Sequence, residues 1–313
     1  MLAQQVRSGL AETSHDGAVA VVAPDGSLIA SSGDIDRPFF MRSAAKPFQA
    51  VVSQEAGSQL EPLELVMACS SHRGFPAHIA LVDKILGKVG LEESALGCPF
   101  DWPLSPRAAH AVWHGGAPRR RRIWHNCSGK HAGFLRACVA SGWPVESYLD
   151  PDHPLQRRVI ALTSDLGEMS VEPIGVDGCG APVLRTTARV MGLMYARLAT
   201  QPRLAEVFEV MRRYPALVGA NQEADTEIAI ATGGSAKGGA AGCIGVAVDG
   251  RLGLAVKSWD GLGSIAAMAA ATSLQRLGVL NATAVAALDP VLHPPVHGGG
   301  RVVGHLESRL ELH

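Results

Sequence analysis

The chain has little charge and few aromatic rings. Charged residues make up 18% and aromatics 5% of its 313 residues, and the formal net charge is -1. That balance gives no broad electrostatic case for nucleic acid or an anionic membrane surface. No apolar run reaches membrane-spanning length. Glu12, His15 and Asp16 stand where a secretory leader needs an apolar core, so neither a span nor export is expected, and a cytoplasmic location is. The cysteines, Cys69, Cys98, Cys127, Cys138, Cys179 and Cys243, are too few and too scattered for a disulfide scaffold and suit a reducing compartment. There is no C-x-x-C and no H-E-x-x-H, and the glycine-rich stretch from Gly233 to Gly242 lacks the Gly-Lys-Ser/Thr ending of a phosphate-binding loop. The one basic run, Arg119 to Arg122, follows Gly115-Gly116-Ala117-Pro118 and is expected to be a solvated loop.

What the chain does have is core-forming material. Hydrophobic residues are 47% of the sequence, enough to bury a large core in one domain or two closely packed lobes. Gly17 to Ala23 and Ser27 to Ser31 flank the turn signal Pro24-Asp25-Gly26, and Cys243 to Val248 and Leu252 to Ser258 flank Asp249-Gly250, so each pair predicts a β-hairpin. Between them the pattern is mainly helical. Helices are predicted from Pro76 to about Leu86, over Ala132 to Ala140, in one or two pieces between Thr186 and Met211, and after the second hairpin from Ser264 to Leu277. Short apolar pieces near Val291 and Val302 are expected to complete the sheet. The economical arrangement is α/β (α+β): an antiparallel sheet built from both chain ends, covering helices, and a mainly helical middle. It predicts one domain over 1–313, with a sheet-containing lobe from 1–60 plus 225–313, a helical lobe from 61–224, and a cleft where they meet.

Four stretches carry chemistry. In Arg42-Ser43-Ala44-Ala45-Lys46-Pro47, a serine and a lysine lie one turn apart where a helix begins, and Pro47 fits only near that start. A hydroxyl becomes a nucleophile when a neighbouring amine of lowered pKa takes its proton; the plainer alternative is a capping serine beside a solvated lysine. Ser71 and His72 follow the apolar element that ends at Cys69. Trp124-His125-Asn126-Cys127-Ser128-Gly129-Lys130-His131 is the densest polar stretch, and Asp177-Gly178-Cys179-Gly180 forms a second polar loop. The two cysteines of these loops could hold a metal or be small core residues; spacing leaves both open. Lys257 ends the last strand of the second hairpin.

Taken together, Arg42-Ser43-x-x-Lys46, Cys69-x-Ser71-His72, His125 to His131, Asp177-Gly178-Cys179-Gly180, Asp225-Thr226, Lys237-Gly238-Gly239-Ala240 and Lys257-x-x-Asp260-Gly261 cover nearly the whole chain in order. This set resembles the serine- and lysine-dependent bacterial L-asparaginases of the rhizobial inducible, thermolabile type, which are similar in fold to serine β-lactamases, transpeptidases and glutaminases. Two departures stand out: Ala241 where the family often has glutamate, and Asn221-Gln222-Glu223-Ala224 where it often has arginine.

The resemblance implies hydrolysis of L-asparagine to L-aspartate and ammonia. It implies two facing serine–lysine pairs, Ser43–Lys46 and Ser71–Lys257, with Ser43 attacking the side-chain amide, Lys46 taking its proton, and Lys257 depressing the Lys46 pKa by like charge. Arg42, His72, Asn126 and Asp177 would bind substrate, Arg42 its carboxylate and Asp177 its ammonium. Cys127, Lys130 and Cys179 would hold a zinc ion (Zn2+), not essential to turnover, with no organic cofactor. A homodimer is implied by the resemblance alone. Glutamine, a β-lactam or a small peptide amide is the alternative substrate, and a scaffold that binds zinc or an amino acid without turnover is the non-enzymatic reading.

Overall fold

The computed structural model describes residues 1–116 and 119–313. Ala117 and Pro118, part of the stretch expected to lead into the arginine loop, lie outside the described residues.

The first strands are β1 (Ala3–Arg7), β2 (Leu10–His15), β3 (Gly17–Val22), β4 (Leu28–Ser32) and the two-residue β5 (Phe39–Phe40). Helices α1 (Lys46–Glu55), α2 (Pro62–Cys69), α3 (Pro76–Gly87), α4 (Pro106–His114), α5 (Ser128–Ser141) and α6 (Pro154–Gly167) follow. The short strands β6 (Gly175–Val176), β7 (Pro182–Val183) and β8 (Arg185–Thr186) lead to α7 (Ala188–Leu198), α8 (Ala205–Arg213), α9 (Pro215–Val218) and α10 (Ala224–Thr232). The chain then returns through β9 (Ser235–Gly239), β10 (Cys243–Val248) and β11 (Leu252–Ser258). It ends with α11 (Gly263–Arg276), α12 (Ala282–Ala287), α13 (Asp289–Leu292), β12 (Pro295–Gly298) and β13 (Arg301–Ser308).

Both predicted hairpins form, and they share one antiparallel sheet in the order β4-β3-β11-β10-β9. The central strands β3, β10 and β11 are buried along their whole length. That explains why their sequences read as continuous apolar runs rather than alternating ones, since a sheet covered on both faces has no polar side. Apolar cores lie on both faces of this sheet. Ala18, Ala20, Ala247 and Ala255 face one with α1, α2, α5 and α7, while Val19, Val21, Val246 and Val256 face the other with α11. The period of two along each strand sorts these residues.

Two expectations change. Val291 is not sheet at all but sits in α13, and Val302 joins a second sheet, β12-β13-β1-β2, rather than the first. Strands β1 and β2 carry mostly half-exposed or exposed residues. Their polar sequence gives no apolar signal, and only pairing with β13 fixes them. The helical start is also sharper than expected: a 3-10 turn over Arg42–Ala45 precedes α1.

Packing of α7 on the sheet leaves no room for side chains at two glycines. A β-carbon on Gly253 would meet the backbone of Gly192 and Ala196, and one on Gly245 would enter the Tyr195 ring. Gly253→Val is therefore expected to lower stability by about 1–3 kcal/mol through overpacking, read as a fall in the urea midpoint without a change in slope.

Candidate active site

The 3-10 turn Arg42–Ala45 is pinned from both sides. Tyr195, fully buried on α7, donates from its hydroxyl to the Ala44 carbonyl at 2.8 Å. On the other side runs the edge strand β9, where a β-carbon on Gly239 would come within 3.0 Å of the Met41 carbonyl and 3.2 Å of the Ala44 nitrogen. Glycine at this position lets the strand approach the turn. Arg42 takes a left-handed conformation, φ 52°, unusual for a side-chain-bearing residue and tolerated where surrounding contacts enforce it. The half-buried Ser43 follows it and opens into the adjacent cleft.

Lys46 points inward from the first turn of α1 and is 1% exposed. Its amine donates to the Ser70 carbonyl at 2.6 Å and to the Ser71 hydroxyl at 3.0 Å. These acceptors are available because α2 ends at Cys69 and the chain leaves it extended. Burial lowers the Lys46 pKa, nearby Cys127 opposes the shift, and the positive charges of Lys237 and Lys130 add to it. The lysine that the sequence places one turn from Ser43 is thus turned toward Ser71.

Lys257 does not reach Ser71. It lies on β11 between Cys243 and Ala18 of the neighbouring strands. Its amine donates to the carbonyls of Ala241 and Ser258, the latter at 2.8 Å, and lies 5.7 Å from the Trp259 ring centre. Lys237 is the lysine that lines the cleft. It is 1% exposed on β9, borders the same cleft as Ser43 and Ser71, and repels the charge on Lys46. Its amine lies 3.5 Å from an Asp225 oxygen and 2.8 Å from the Gly238 carbonyl; the same Asp225 oxygen accepts from the Gly238 N–H at 3.0 Å. The signal for Lys237 was present in its motif: two glycines after a lysine mark a strand that passes close to another backbone.

Arg42 and Asp177 bond to each other, Nε to Oδ1 at 2.6 Å. Burial would raise the Asp177 pKa, but the Arg42 guanidinium and the Gly178 N–H outweigh it and hold the carboxyl below its usual range. Asn126 borders the cleft. His72 does not: fully buried, it accepts from the Gly74 N–H on Nδ1 and bonds the Ser128 hydroxyl through Nε2, and burial pushes its pKa well down. It fastens the start of α5 rather than facing a ligand. The cleft itself holds about 490 Å³. An ion pair between Arg73 and Glu223 stands at its edge.

The profile of the L-asparaginase II family matches residues 3–308. The chain belongs to this family. Its members are asparaginase-type hydrolases acting on a small-molecule amide. No curated protein matches the chain significantly. Among solved structures it is similar to Mglu in its native form, with 17% identity over 86% of this chain and 66% of that one at a TM-score of 0.47. It is also similar to a probable glutaminase, ybaS, with 17% identity over 88% and 91% of the two chains and a TM-score of 0.45. A β-lactamase from Mycobacterium bovis gives 17%, 83%, 94% and 0.46 for the same quantities. The chain thus spans 66% of the length of Mglu. Among the described residues no helix is long and apolar enough to cross a membrane.

The zinc expected for this asparaginase-family chain is overturned. Among the described residues no three His, Cys, Asp or Glu side chains gather as a metal cage. Cys127, Lys130 and Cys179 do converge, but Lys130 fills the cationic place itself. Burial would lower its pKa; Cys179 and Cys127 outweigh that and raise it, and its amine donates to the Cys179 sulfur at 3.0 Å. A lysine amine gives a metal its lone pair only when neutral, and the two cysteines oppose that form. The Cys127 thiol is correspondingly held well below its ordinary pKa, first by contact with Cys179 and then, against burial, by Lys46 and Lys130. Replacing Lys130 by Met removes one of these cations. The variant is expected to lose thiolate absorbance in the ultraviolet at neutral pH, measured by pH titration against the parent protein; an unchanged titration would refute the ion-pair account.

Proposed function

We propose that the protein hydrolyses L-asparagine to L-aspartate and ammonia, with the cleft between the Arg42–Ala45 turn, the end of α2 and β9 as the site. The observation that carries this is the wholly buried Lys46, set one turn from Ser43 and bonded to Ser71, the two serines that line that cleft. Family membership supports the substrate.

In this reading Ser43 attacks the side-chain carbonyl and its proton passes to Lys46. Burial favours the neutral amine and so fits Lys46 to receive it. The carbonyl oxygen becomes an oxyanion that backbone donors, including the Ser43 N–H, stabilise. The C–N bond then breaks, ammonia leaves with a proton returned through Ser71, and water hydrolyses the acyl-enzyme. Lys237 takes the second-lysine role because its amine borders the cleft. Its positive charge makes a proton on Lys46 less favourable. Arg42 and Asp177, paired with each other here, open to receive the substrate's carboxylate and ammonium, and Asn126 adds an amide contact. A second assignment exchanges the serines: the 3.0 Å bond from Lys46 goes to Ser71, which favours Ser71 as the group deprotonated first. The antiparallel sheet with residues 1–60 and 225–313, and the helices of 61–224, are proposed as two lobes of one 1–313 domain. The family resemblance supports a cytoplasmic homodimer.

The wild-type protein is expected to free ammonia from L-asparagine and little from glutamine. Ser43→Ala should lose at least about 1,000-fold in kcat, the scale of removing an activated nucleophile. Intact-mass detection of an aspartyl adduct on rapidly quenched Ser71→Ala but not Ser43→Ala assigns the nucleophile to Ser43; the reverse pattern assigns it to Ser71. Because the neutral amine is the active form, kcat/KM should rise with pH along a limb lying below the ordinary lysine range. Lys46→Arg, which cannot give up its proton at these pH values, should abolish that limb together with the activity.

A further inference from the structure

A molecule as small as asparagine would leave much of the 490 Å³ cleft empty, and the cleft does not stop where Lys237 stands. A second hollow of about 450 Å³ adjoins it along Ala224, Ser264 and Ala267, which line both. Ser264 and Ala267 lie one turn apart on α11 and so share a face. Beyond them the wall is formed by Ala287, Pro290 and Val291, apolar side chains too short to fill the space. The acidic group at its rim, Glu227, is already engaged by the Gln222 N–H at 2.9 Å. Cavities of this size and lining suit an apolar group of several carbons.

The direction of the hollow decides which end of a substrate reaches it. Arg42 and Asp177, proposed above to hold the amino-acid head group, bond to one another and border neither hollow. With the head group there and the amide carbonyl at Ser43, this pose leaves the amide nitrogen to the cleft, whose walls include β9 and α11. We infer that the enzyme also hydrolyses L-asparagine derivatives bearing an apolar substituent on the side-chain nitrogen, releasing a primary amine in place of ammonia. The inference rests on the asparaginase reading and extends its substrate class. The chemistry balances as before: the serine oxygen bonds the acyl carbon, the C–N bond breaks, and the nitrogen leaves as the amine with the serine's proton. Water then supplies the hydroxyl of aspartate and restores the proton to serine. No additional co-reactant is needed.

The test compares L-asparagine with its N4-methyl, N4-butyl and N4-benzyl derivatives, with ammonia and free amine quantified separately. Wild-type enzyme is expected to release benzylamine with a kcat/KM within about tenfold of that for asparagine, and KM should fall from methyl to benzyl. Ala287→Trp places a ring in the second hollow from its exposed rim. It should lower kcat/KM for the benzyl substrate by about tenfold or more and leave asparagine turnover within about twofold. Enzyme that frees ammonia from asparagine but no benzylamine overturns the inference and leaves the asparaginase reading standing. Equal loss on both substrates in Ala287→Trp leaves the decision to the wild-type KM series, where a KM that rises with substituent size overturns it. Inertness toward every amide overturns both readings together.

Discussion

An amine taken wholly out of water must find acceptors, or it gives up its proton; the site depends on how Lys46 meets that demand. A buried lysine without partners would cost several kcal/mol as a cation. Here a backbone carbonyl and a hydroxyl, both supplied as the chain leaves α2, satisfy the amine without neutralising it. Among the described residues no carboxylate bonds it. Burial, with the nearby lysines, lowers the pKa of this amine, the direction that suits a group meant to accept a proton.

The charges around it follow an alternation. Lys46, Lys130 and Lys237 are all buried, and each lies near sulfur or carboxylate: Cys127 beside Lys46, Cys179 beside Lys130, Asp225 beside Lys237. Burial first, then the like-charged lysines, lower the Lys46 pKa, while at Lys130 the sulfur neighbours outweigh burial and raise it. Two lysines of the same type, both fully enclosed, are thereby driven in opposite directions. With burial common to both, the difference between them lies in their partners.

The sequence exposed the fold in the parts where hydrophobic pattern and turn chemistry agree. Pro24-Asp25-Gly26 and Asp249-Gly250 locate both hairpins, and Pro76 sits at the helix start expected of it. It concealed β1 and β2, whose polar residues are organised only by a partner strand from the far end of the chain. In the site, adjacency along the chain was legible and direction was not. Ser43 and Lys46 are one turn apart as the spacing requires, yet the amine turns to Ser71, a choice made by where α2 ends. His72 and Asn126 stand in recognisable motifs, and nothing local separates the one that fastens α5 from the one that borders the cleft. Lys257 and Lys237 each belong to a matching motif, and both amines meet carbonyls, but only Lys237 on the edge strand β9 also lines the cleft. The zinc expectation failed for a related reason, since Lys130 can be a ligand or a counter-ion and its neighbours' charge determines which.

Tyr195 gives the structure a further property. Its ring occupies the space that Gly245 leaves open in the sheet, and its hydroxyl holds the carbonyl next to Ser43. One side chain thus belongs to the densest part of the core and to the turn that carries the nucleophile candidate. Heat tolerance and turnover are then drawn from a common set of contacts: whatever loosens α7 on the sheet also releases the serine from its alignment.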